Sequence, residues 1–192
     1  MNINKINKNV INIKILITLQ GVYSMNIVSN IKDFIIYNVY FLDQKKNIVM
    51  DGKFTKMIYS DECIILNGIY LNIHLSIYSI DKINSIDKVT NKLTNKYFIK
   101  FHTHDVLNHI FIQQLNKIEL DILEYYKQSF SCIKQPIFLL KEQLSYGNVK
   151  LYKETTEINP FSNYIIKISG VWENNANIGI TYKFMEVQPL FD

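Results

Sequence analysis

The chain has 192 residues and a formal net charge of +4, with 48% hydrophobic and 20% charged residues. This length and apolar content indicate one domain with a sizeable core and exclude an intrinsically disordered chain. All 21 basic residues are Lys, and the sequence contains 33 Ile but one Ala. Because Ala favours helices whereas Ile and aromatic residues favour strands, the composition predicts a β-rich fold. Two distant cysteines, Cys63 and Cys132, indicate reduced, buried thiols of an intracellular protein.

The beginning of the chain predicts an N-terminal arm. Its apolar run at residues 15–19 is far shorter than the roughly 18 residues of a membrane span, and it lacks a clear cleavage site for a secretory leader. Met25 precedes a better-patterned region and is a second candidate start. We therefore predict an arm over residues 1–24, a single domain over residues 25–187 and a short tail over residues 188–192, without membrane association.

The first part of the domain has the pattern of successive strands. Residues 33–41 are β-branched and aromatic, which is typical of a strand, and the polar residues 43–47 predict the turn that ends it. Asp51 and Gly52 form a second turn signal. After them, the imperfect alternation of residues 53–59 predicts a strand with one solvated face.

Asn67 and Gly68 predict a hairpin in the next part of the chain. They separate apolar runs at residues 63–66 and 69–80, and this dipeptide suits a type I′ turn between paired strands. Residues 81–96 are polar and Lys-rich, which predicts a loop, and a short strand is expected at residues 97–101.

One long helix is predicted at residues 105–129, where apolar residues recur at intervals of three and four. Asp105 or Asn108 is its expected N-cap. Further strands are predicted at residues 137–140, 149–152, 164–172 and 178–187, and the last two form a C-terminal hairpin. This α+β, mainly antiparallel pattern fits an OB-like (oligonucleotide-binding) small barrel, and a flat sheet with a helix across one face nearly as well.

One stretch resembles a metal site and contains His102, His104, Asp105 and His109. Imidazoles beside a carboxylate can bind zinc or iron, but a polar strand-to-helix connection with Asp105 as the helix cap explains the same residues. The sequence contains neither a nucleophile motif nor a phosphate-binding Gly-rich loop. We therefore expect no metal, no cofactor and no enzymatic activity.

Basic residues are concentrated near the start, where residues 1–60 contain eight Lys against three Asp or Glu. Lysines that neutralise phosphates beside aromatic rings that stack on bases are the elements of single-strand binding, and the absence of Arg disfavours specific recognition of guanine. The candidate nucleic-acid-binding residues are Lys45, Lys46, Lys53, Phe54, Lys56, Tyr59 and Tyr70. The alternative is that the aromatic residues belong to the core and the lysines are solvated residues at the edges of strands.

Several segments resemble known proteins. Residues 164–173 (YIIKISGVWE) with 178–184 (IGITYKF), residues 57–60 with 67–70, and the helical residues 115–126 are similar to uncharacterised proteins of mimivirus-like and other large DNA viruses. Those proteins resemble viral OB-fold single-stranded DNA-binding proteins. The resemblance extends over most of residues 54–186 and identifies neither a catalytic motif nor a contact residue.

The resemblance implies a viral protein that binds single-stranded DNA or RNA without catalysis. It further implies an OB-like barrel and a location in the host cytoplasm, the viral factory or the virion. Viral replication proteins and further copies of the chain are the partners that it suggests. The alternative is a virus-encoded structural or protein-interaction module, whose exposed sheet edge pairs with another chain.

Overall fold

The computed structural model describes residues 13–17, 23–47, 51–61, 64–86, 93–152 and 163–187. The described strands are β1 (Ile13–Ile17), β2 (Tyr23–Ile27), β3 (Val39–Lys46), β4 (Lys53–Ser60), β5 (Ile65–Leu66), β6 (Ile69–Asn72), β7 (Ile77–Ile86), β8 (Leu93–Phe101), β9 (Gln135–Pro136), β10 (Asn148–Tyr152), β11 (Asn163–Glu173) and β12 (Asn177–Val187). The described helices are α1 (Val106–Phe130) and α2 (Leu139–Ser145).

Ten of the described strands form one sheet, whose main path is β3-β4-β11-β12-β10-β8-β7. β5 pairs with β4, β6 with β11 and β9 with β12, whereas β1 and β2 form a separate two-stranded sheet. The pairs of β12 with β10 and with β9 are parallel, and the other pairs are antiparallel. β3 and β7 lie at opposite ends of the path, so the described strands form an open sheet. The protein is therefore α+β and mostly antiparallel.

Both helices pack on one face of this sheet, which we call the inner face, and the opposite face is the outer face. Apolar residues of the two helices join alternate residues of the strands in one core. Leu115 and Ile122 of α1, Leu144 of α2 and Ile166 of β11 are all 0% exposed. Burial of one such side chain stabilises the folded state by about 1.5–3 kcal/mol, so this face supplies most of the apolar stabilisation.

The predicted long helix is confirmed, with bounds that differ by one residue. Asp105 is the N-cap, and its carboxylate accepts hydrogen bonds from the backbone N–H groups of Leu107 and Asn108 at 3.0 and 3.1 Å. Asn108 is not the cap. Its buried amide bonds both backbone groups of Ser76 and the carbonyl of His102, which ties the start of α1 to the chain on either side of the β7–β8 hairpin.

The predicted loop at residues 81–96 is wrong, because much of it belongs to the long antiparallel hairpin of β7 and β8. β7 is an edge strand, and its described residues Asp81, Lys82 and Asn84 are half-buried or exposed. Polar residues of a solvated edge strand have the same composition as a loop, so the pattern did not distinguish the two. Residues 87–92, between the strands, lie outside the described residues.

The strand predicted at residues 33–41 begins later than expected. Two 3-10 turns, Ile31–Asp33 and Ile36–Asn38, precede β3, and the Asn30 side chain caps the first turn by accepting from Lys32 N–H. β3 then continues through residues 43–46, which were predicted as a turn. Pairing with β4 holds this polar segment extended despite its composition.

The hairpin predicted at Asn67 and Gly68 is also wrong. β5 pairs with β4, and β6 pairs with β11, the neighbour of β4 in the sheet, so β5 and β6 do not pair with each other. The predicted strand over residues 69–80 is interrupted at residues 73–76.

The strand predicted at residues 137–140 is replaced by the short strand β9 and by helix α2. Glu119 of α1 accepts from the backbone N–H groups of Leu140 and Lys141 at 3.0 and 2.9 Å, and it thereby caps α2 from another helix. A cap of this kind leaves no local sequence signal. The other predicted strands, at residues 53–59, 97–101, 149–152, 164–172 and 178–187, are confirmed within slightly longer elements.

The predicted division into arm, domain and tail stays a prediction. Most of residues 1–24, all of residues 188–192, and Cys63 lie outside the described residues, and Cys132 is half-buried. Within the described residues, no helix combines the length and the apolar character that a membrane crossing requires.

Candidate functional site

Alternation along the strands divides the side chains of the sheet between its two faces. In β11, Ile168 and Val171 belong to the core on the inner face, whereas Lys167 and Trp172 point to the outer face and are half-buried. A bulge next to Gly170 shifts the alternation between these two parts of the strand. Because directly paired residues point to the same face, the strand register extends this assignment to the neighbouring strands.

Two aromatic rings lie on glycine backbone at the outer face. Phe54 of β4 is paired directly with Trp172 of β11. A Cβ atom at Gly179 would lie 2.5 Å from Cζ2 and 2.9 Å from Nε1 of Trp172, so the indole covers this glycine. A Cβ atom at Gly170 would lie 2.5 Å from Cζ of Phe54, so the phenyl ring covers the other glycine. Each ring has one side on the sheet and the other directed away from it, and we call Phe54 and Trp172 the aromatic platform.

Lysines flank the aromatic platform. Lys45 of β3 is directly opposite Phe54, and Lys56 of β4 is directly opposite Gly170; both lysines are exposed. One row across β3, β4, β11 and β12 therefore consists of Lys45, Phe54, Trp172 and Gly179. Three interstrand spacings give this row a length of about 14 Å.

The rest of the outer face combines lysines with a small apolar cluster, in which Val28 buries Ile165 and Val187 and contacts Tyr70 and Met185. The register places further lysines on it, namely Lys96, Lys100, Lys150, Lys167 and Lys183. Outside the β3 bulge, Asp81 is the one carboxylate that the register places there among the described strand residues, and it forms a salt bridge with Lys100 at 2.6 Å. The other outer-face lysines form no salt bridge with a described carboxylate. This face therefore carries positive charge that the described residues do not neutralise.

A hydrogen-bonded network on the inner face lies directly beneath the platform. Thr55 and Glu173 follow Phe54 and Trp172 in their strands and point to the opposite face, where both contact the hydroxyl of Tyr126 at 3.1 Å. Tyr126 is 0% exposed and donates to Glu173, and the amide of Gln44 donates to Tyr126 at 2.9 Å. The network joins β3, β4, β11 and α1, so it fixes the backbone that presents the two rings.

Glu173 stays ionised in this network. Burial opposes its ionisation, but hydrogen bonds from Lys134 and Tyr126 and the positive charge of Lys134 outweigh burial, so its pKa lies below the usual value. Lys134 donates to Glu173 at 2.7 Å. For Tyr126, burial raises the pKa of the hydroxyl, which keeps it protonated as a donor. The network is a structural anchor with matched donors and acceptors.

The predicted contact residues fall on both faces. Lys45, Phe54, Lys56 and Tyr70 are on the outer face, which agrees with a shared surface. The side chains of Lys46, Lys53 and Tyr59 are on the inner side of the sheet. The first two are exposed at the rim, where Lys53 donates to Gln44 at 3.2 Å.

Tyr59 has no ring face free for stacking. Its side chain is 8% exposed, its ring stacks on Phe34 with the centroids 5.9 Å apart, and its hydroxyl accepts from Ile35 N–H at 3.1 Å. Within β4 the parity of the residue numbers separates Tyr59 and Lys53 from Phe54 and Lys56. Strict use of that alternation would have separated the two groups from the sequence alone.

Sequence reasoning missed the contribution of β10, β11 and β12. Trp172 is not among the predicted contact residues, yet it lies on the outer face. Lys150, Lys167 and Lys183 were not selected, because they are isolated in the sequence and come together only through the pairing of their strands. The alternating pattern of β11 and β12 was the available signal for their orientation.

The stretch with the metal-like pattern has other structural roles. Asp105 caps α1, and His102 stacks on Tyr78 with ring centroids 4.4 Å apart. His104 and His109 are exposed. Among the described residues, no three His, Cys, Asp or Glu side chains come close enough together to hold a metal ion.

Comparison with known proteins gives no match: no protein-family model, no curated protein and no solved structure matches this chain.

Proposed function

We propose that the protein binds single-stranded nucleic acid, DNA or RNA, on the outer face of its sheet, without catalysis and with little sequence preference. The aromatic platform is the observation that supports this function best. Its two rings rest on glycine and direct their second faces away from the sheet, next to lysines that form no salt bridge with a described carboxylate. Bases would stack on the rings, and the lysines would contact phosphates.

The strength of such contacts is sufficient for useful affinity. Stacking of one base on an aromatic side chain is worth about 1–3 kcal/mol, and every base has a face that can stack. Each phosphate that a lysine neutralises on a single strand adds a slope of about −0.7 to the dependence of log affinity on log salt. Since the chain has no Arg, bidentate reading of guanine does not contribute, in agreement with sequence tolerance.

The OB-like character and the viral setting belong to the same proposal. The part of the outer face that presents rings and lysines can contact a strand as the sheet face of an OB-fold does, without a closed barrel. The proposed binding and the sequence resemblance together suggest that the protein acts with viral replication proteins in the infected cell or is part of the virion.

The test uses Trp172, the single Trp of the chain, as an internal probe. We expect oligothymidylate to quench its fluorescence at low salt, because a stacked base contacts the indole directly. The apparent affinity falls steeply as salt is raised, and a duplex of equal length binds more weakly. Absence of binding at low salt, or tighter binding of the duplex, contradicts the proposal.

A pair of neighbouring lysines provides a matched control for the face. Lys45 and Lys46 are both exposed, but they point to opposite faces of the same strand. Lys45→Gln reduces the salt slope for oligothymidylate by about 0.7, whereas Lys46→Gln leaves it unchanged. Equal effects of the two variants would show that attraction depends on overall charge and not on the outer face.

The open sheet supports a second candidate function, which is pairing of an edge strand with another chain. β3 and β7 end the described sheet, and edge strands are templates for β-augmentation. Both contain a register irregularity, a feature that disfavours such pairing. This function predicts a stable oligomer by light scattering whose Trp172 fluorescence does not respond to oligonucleotides.

A further inference from the structure

We infer that the phosphate backbone of the bound strand crosses the sheet over a row formed by Lys167, Lys183 and Lys150, perpendicular to the β-strands. This inference rests on the proposed function and adds the direction of the path. We call the three residues the lysine row. None of them was predicted as a contact, and they lie on three neighbouring strands, β11, β12 and β10.

The strand register places these lysines side by side. Lys167 is paired directly with Lys183 across the antiparallel β11–β12 ladder. On the other side, β12 and β10 run parallel with Leu151 opposite Phe184, and one residue earlier the same register places Lys150 beside Lys183. Paired residues on one face have Cβ atoms about 5 Å apart, so three ammonium groups share a narrow band of the outer face.

Such an arrangement is electrostatically unfavourable in the free protein. Like charges directly opposite each other destabilise a sheet, and none of the three lysines forms a salt bridge with a described carboxylate. The two outer members are held by tyrosine rings instead: Lys167 Nζ lies 4.9 Å from the centroid of Tyr70, and Lys150 Nζ lies 4.7 Å from that of Tyr152. A chain of phosphates would remove the repulsion, whereas an isolated anion could neutralise only part of the row.

Aromatic residues continue the row at both ends. Tyr70 of β6 is paired with Lys167, and Phe98 of β8 is paired with Lys150. The line from Tyr70 to Phe98 spans four interstrand spacings, or about 19 Å. The row therefore combines three phosphate contacts with the ring of Phe98 at one end, whereas the Tyr70 ring at the other end packs against Val28, Ile165 and Val187.

The lysine row is separate from the aromatic platform. In β12, Gly179 beneath Trp172 and Lys183 are four residues apart, which corresponds to about 13 Å along the strand. A dinucleotide, which contains a single phosphate, can therefore occupy the platform without reaching the lysine row. A longer oligonucleotide can reach both, so length becomes the variable that tests the path.

The experiment titrates the protein with a thymidine dinucleotide and with an oligothymidylate of about 20 nucleotides, which bracket the site sizes of about 4–16 nucleotides known for single-strand-binding modules. Binding is followed by Trp172 fluorescence across a salt series. The test variant carries Lys150→Gln, Lys167→Gln and Lys183→Gln. The control variant removes the same charge from the helices through Lys117→Gln, Lys127→Gln and Lys141→Gln.

For the test variant, we expect unchanged quenching and affinity with the dinucleotide. With the long oligomer its salt slope falls by about 2, as three lost phosphate contacts require, while the control variant behaves like the unaltered protein. If the test variant retains the full slope and the full gain of affinity with length, the path is wrong although the platform binds. If the unaltered protein shows no quenching with either oligonucleotide, the proposed function itself fails. Equal losses in both triple variants would also overturn the path, because they would assign the effect to total charge.

Discussion

On the inner face of the sheet, Glu173 accepts hydrogen bonds from Lys134 and Tyr126, whereas on the outer face Lys167 and Lys183 lie opposite each other without a described carboxylate partner. The same strand, β11, supplies residues to both arrangements. Buried charges must be paired to be tolerated, but a solvated face can carry unpaired charge at small cost. The inner face is therefore built for stability, whereas the lysine-bearing part of the outer face is available for binding.

This comparison has a consequence for mutations, because the two faces should separate the free energy of unfolding from the affinity for nucleic acid. Substitutions on the inner face lower the free energy of unfolding but leave the affinity of the folded protein for nucleic acid unchanged. Substitutions on the outer face lower affinity with little loss of stability.

The largest effect is expected for Tyr126→Ala on the inner face. The ring is 0% exposed and contacts Phe41 and Phe130 with centroids 5.2 and 4.8 Å apart, and its hydroxyl bonds Glu173. Removing a large buried ring lowers the free energy of unfolding by about 3–5 kcal/mol, which urea denaturation measures. Tyr152→Ala, at a tyrosine that is 49% exposed on the outer face, should change it by less than about 0.5 kcal/mol. Similar losses in the two variants would remove the distinction between the faces.

A smaller effect, on affinity and not on stability, is expected for Trp172→Leu. Loss of the stacking surface weakens oligothymidylate binding by about 1–3 kcal/mol, or roughly 5- to 150-fold, in anisotropy measurements with a labelled oligomer. Trp172→Phe retains an aromatic face and should recover most of the affinity. An affinity that is unchanged in the Leu variant would show that the indole does not contact bases.

Gly179→Ala offers a companion test that keeps the indole. The added Cβ would lie 2.5 Å from Trp172 Cζ2, so the ring has to move away from the sheet. The other atoms nearest to this Cβ also belong to the indole, so the substitution acts first on the orientation of Trp172. We expect weaker binding than in the unaltered protein with the aromatic residue still present.

The parts of the fold that the sequence predicted are those with strong periodicity. α1 shows recurrent apolar residues and a carboxylate cap, and β11 and β12 are long and β-branched, so local patterns and tertiary packing agree. The hairpin of β7 and β8 was missed because solvated polar residues dominate it. The cap of α2 comes from Glu119, twenty residues before Leu139 in the chain, and no local pattern encodes such a contact.

The candidate site was predicted in part for the same physical reason. Lys45, Phe54 and Lys56 are close in sequence and were selected together, and their strands do place them on one face. The lysine row was beyond reach, because its residues belong to β10, β11 and β12 and depend on a parallel pairing that periodicity does not reveal. Tyr59 was also selected because it is close in sequence to these residues, but its position in the alternation directs its side chain into the core.

A further prediction concerns the pH dependence of stability on the inner face. Since the pKa of Glu173 is lower in the folded protein than its usual value, this group stabilises the fold above the unfolded-state pKa of about 4.3, and the contribution is lost as the pH falls through the folded-state value. Glu173→Gln lacks this contribution. In urea denaturation, the variant is less stable than the unaltered protein at neutral pH, and the difference shrinks on acidification below about pH 4.3.

Glu119 acts in the opposite direction and must be separated from this effect. Burial raises the pKa of its carboxyl, despite the hydrogen bonds from Lys141 and Leu140 backbone N–H groups, so its protonation favours the folded state as the pH falls. Comparing Glu173→Gln with the unaltered protein leaves Glu119 in place in both, so its contribution cancels. A difference that stays constant down to the most acidic pH would contradict the assignment of Glu173.

The smallest effect is expected for Lys183→Gln, and its two parts have opposite signs. Removing the middle charge of the lysine row relieves repulsion from Lys167 and Lys150, so the free energy of unfolding at low salt rises by a few tenths of a kcal/mol, within the roughly 0.2–1 kcal/mol of cross-strand pairs. The same change removes one phosphate contact, so the salt slope of long-oligomer binding falls by about 0.7. If Lys183 only supported the fold, its substitution would lower the free energy of unfolding. If Lys183 were an exposed residue without a role in binding, its substitution would leave the salt slope of long-oligomer binding unchanged. Denaturation and binding are therefore measured on the same variant at the same salt concentrations. A gain in stability together with a smaller salt slope shows that the repulsion among the three lysines destabilises the free protein and that the same lysines contribute to affinity.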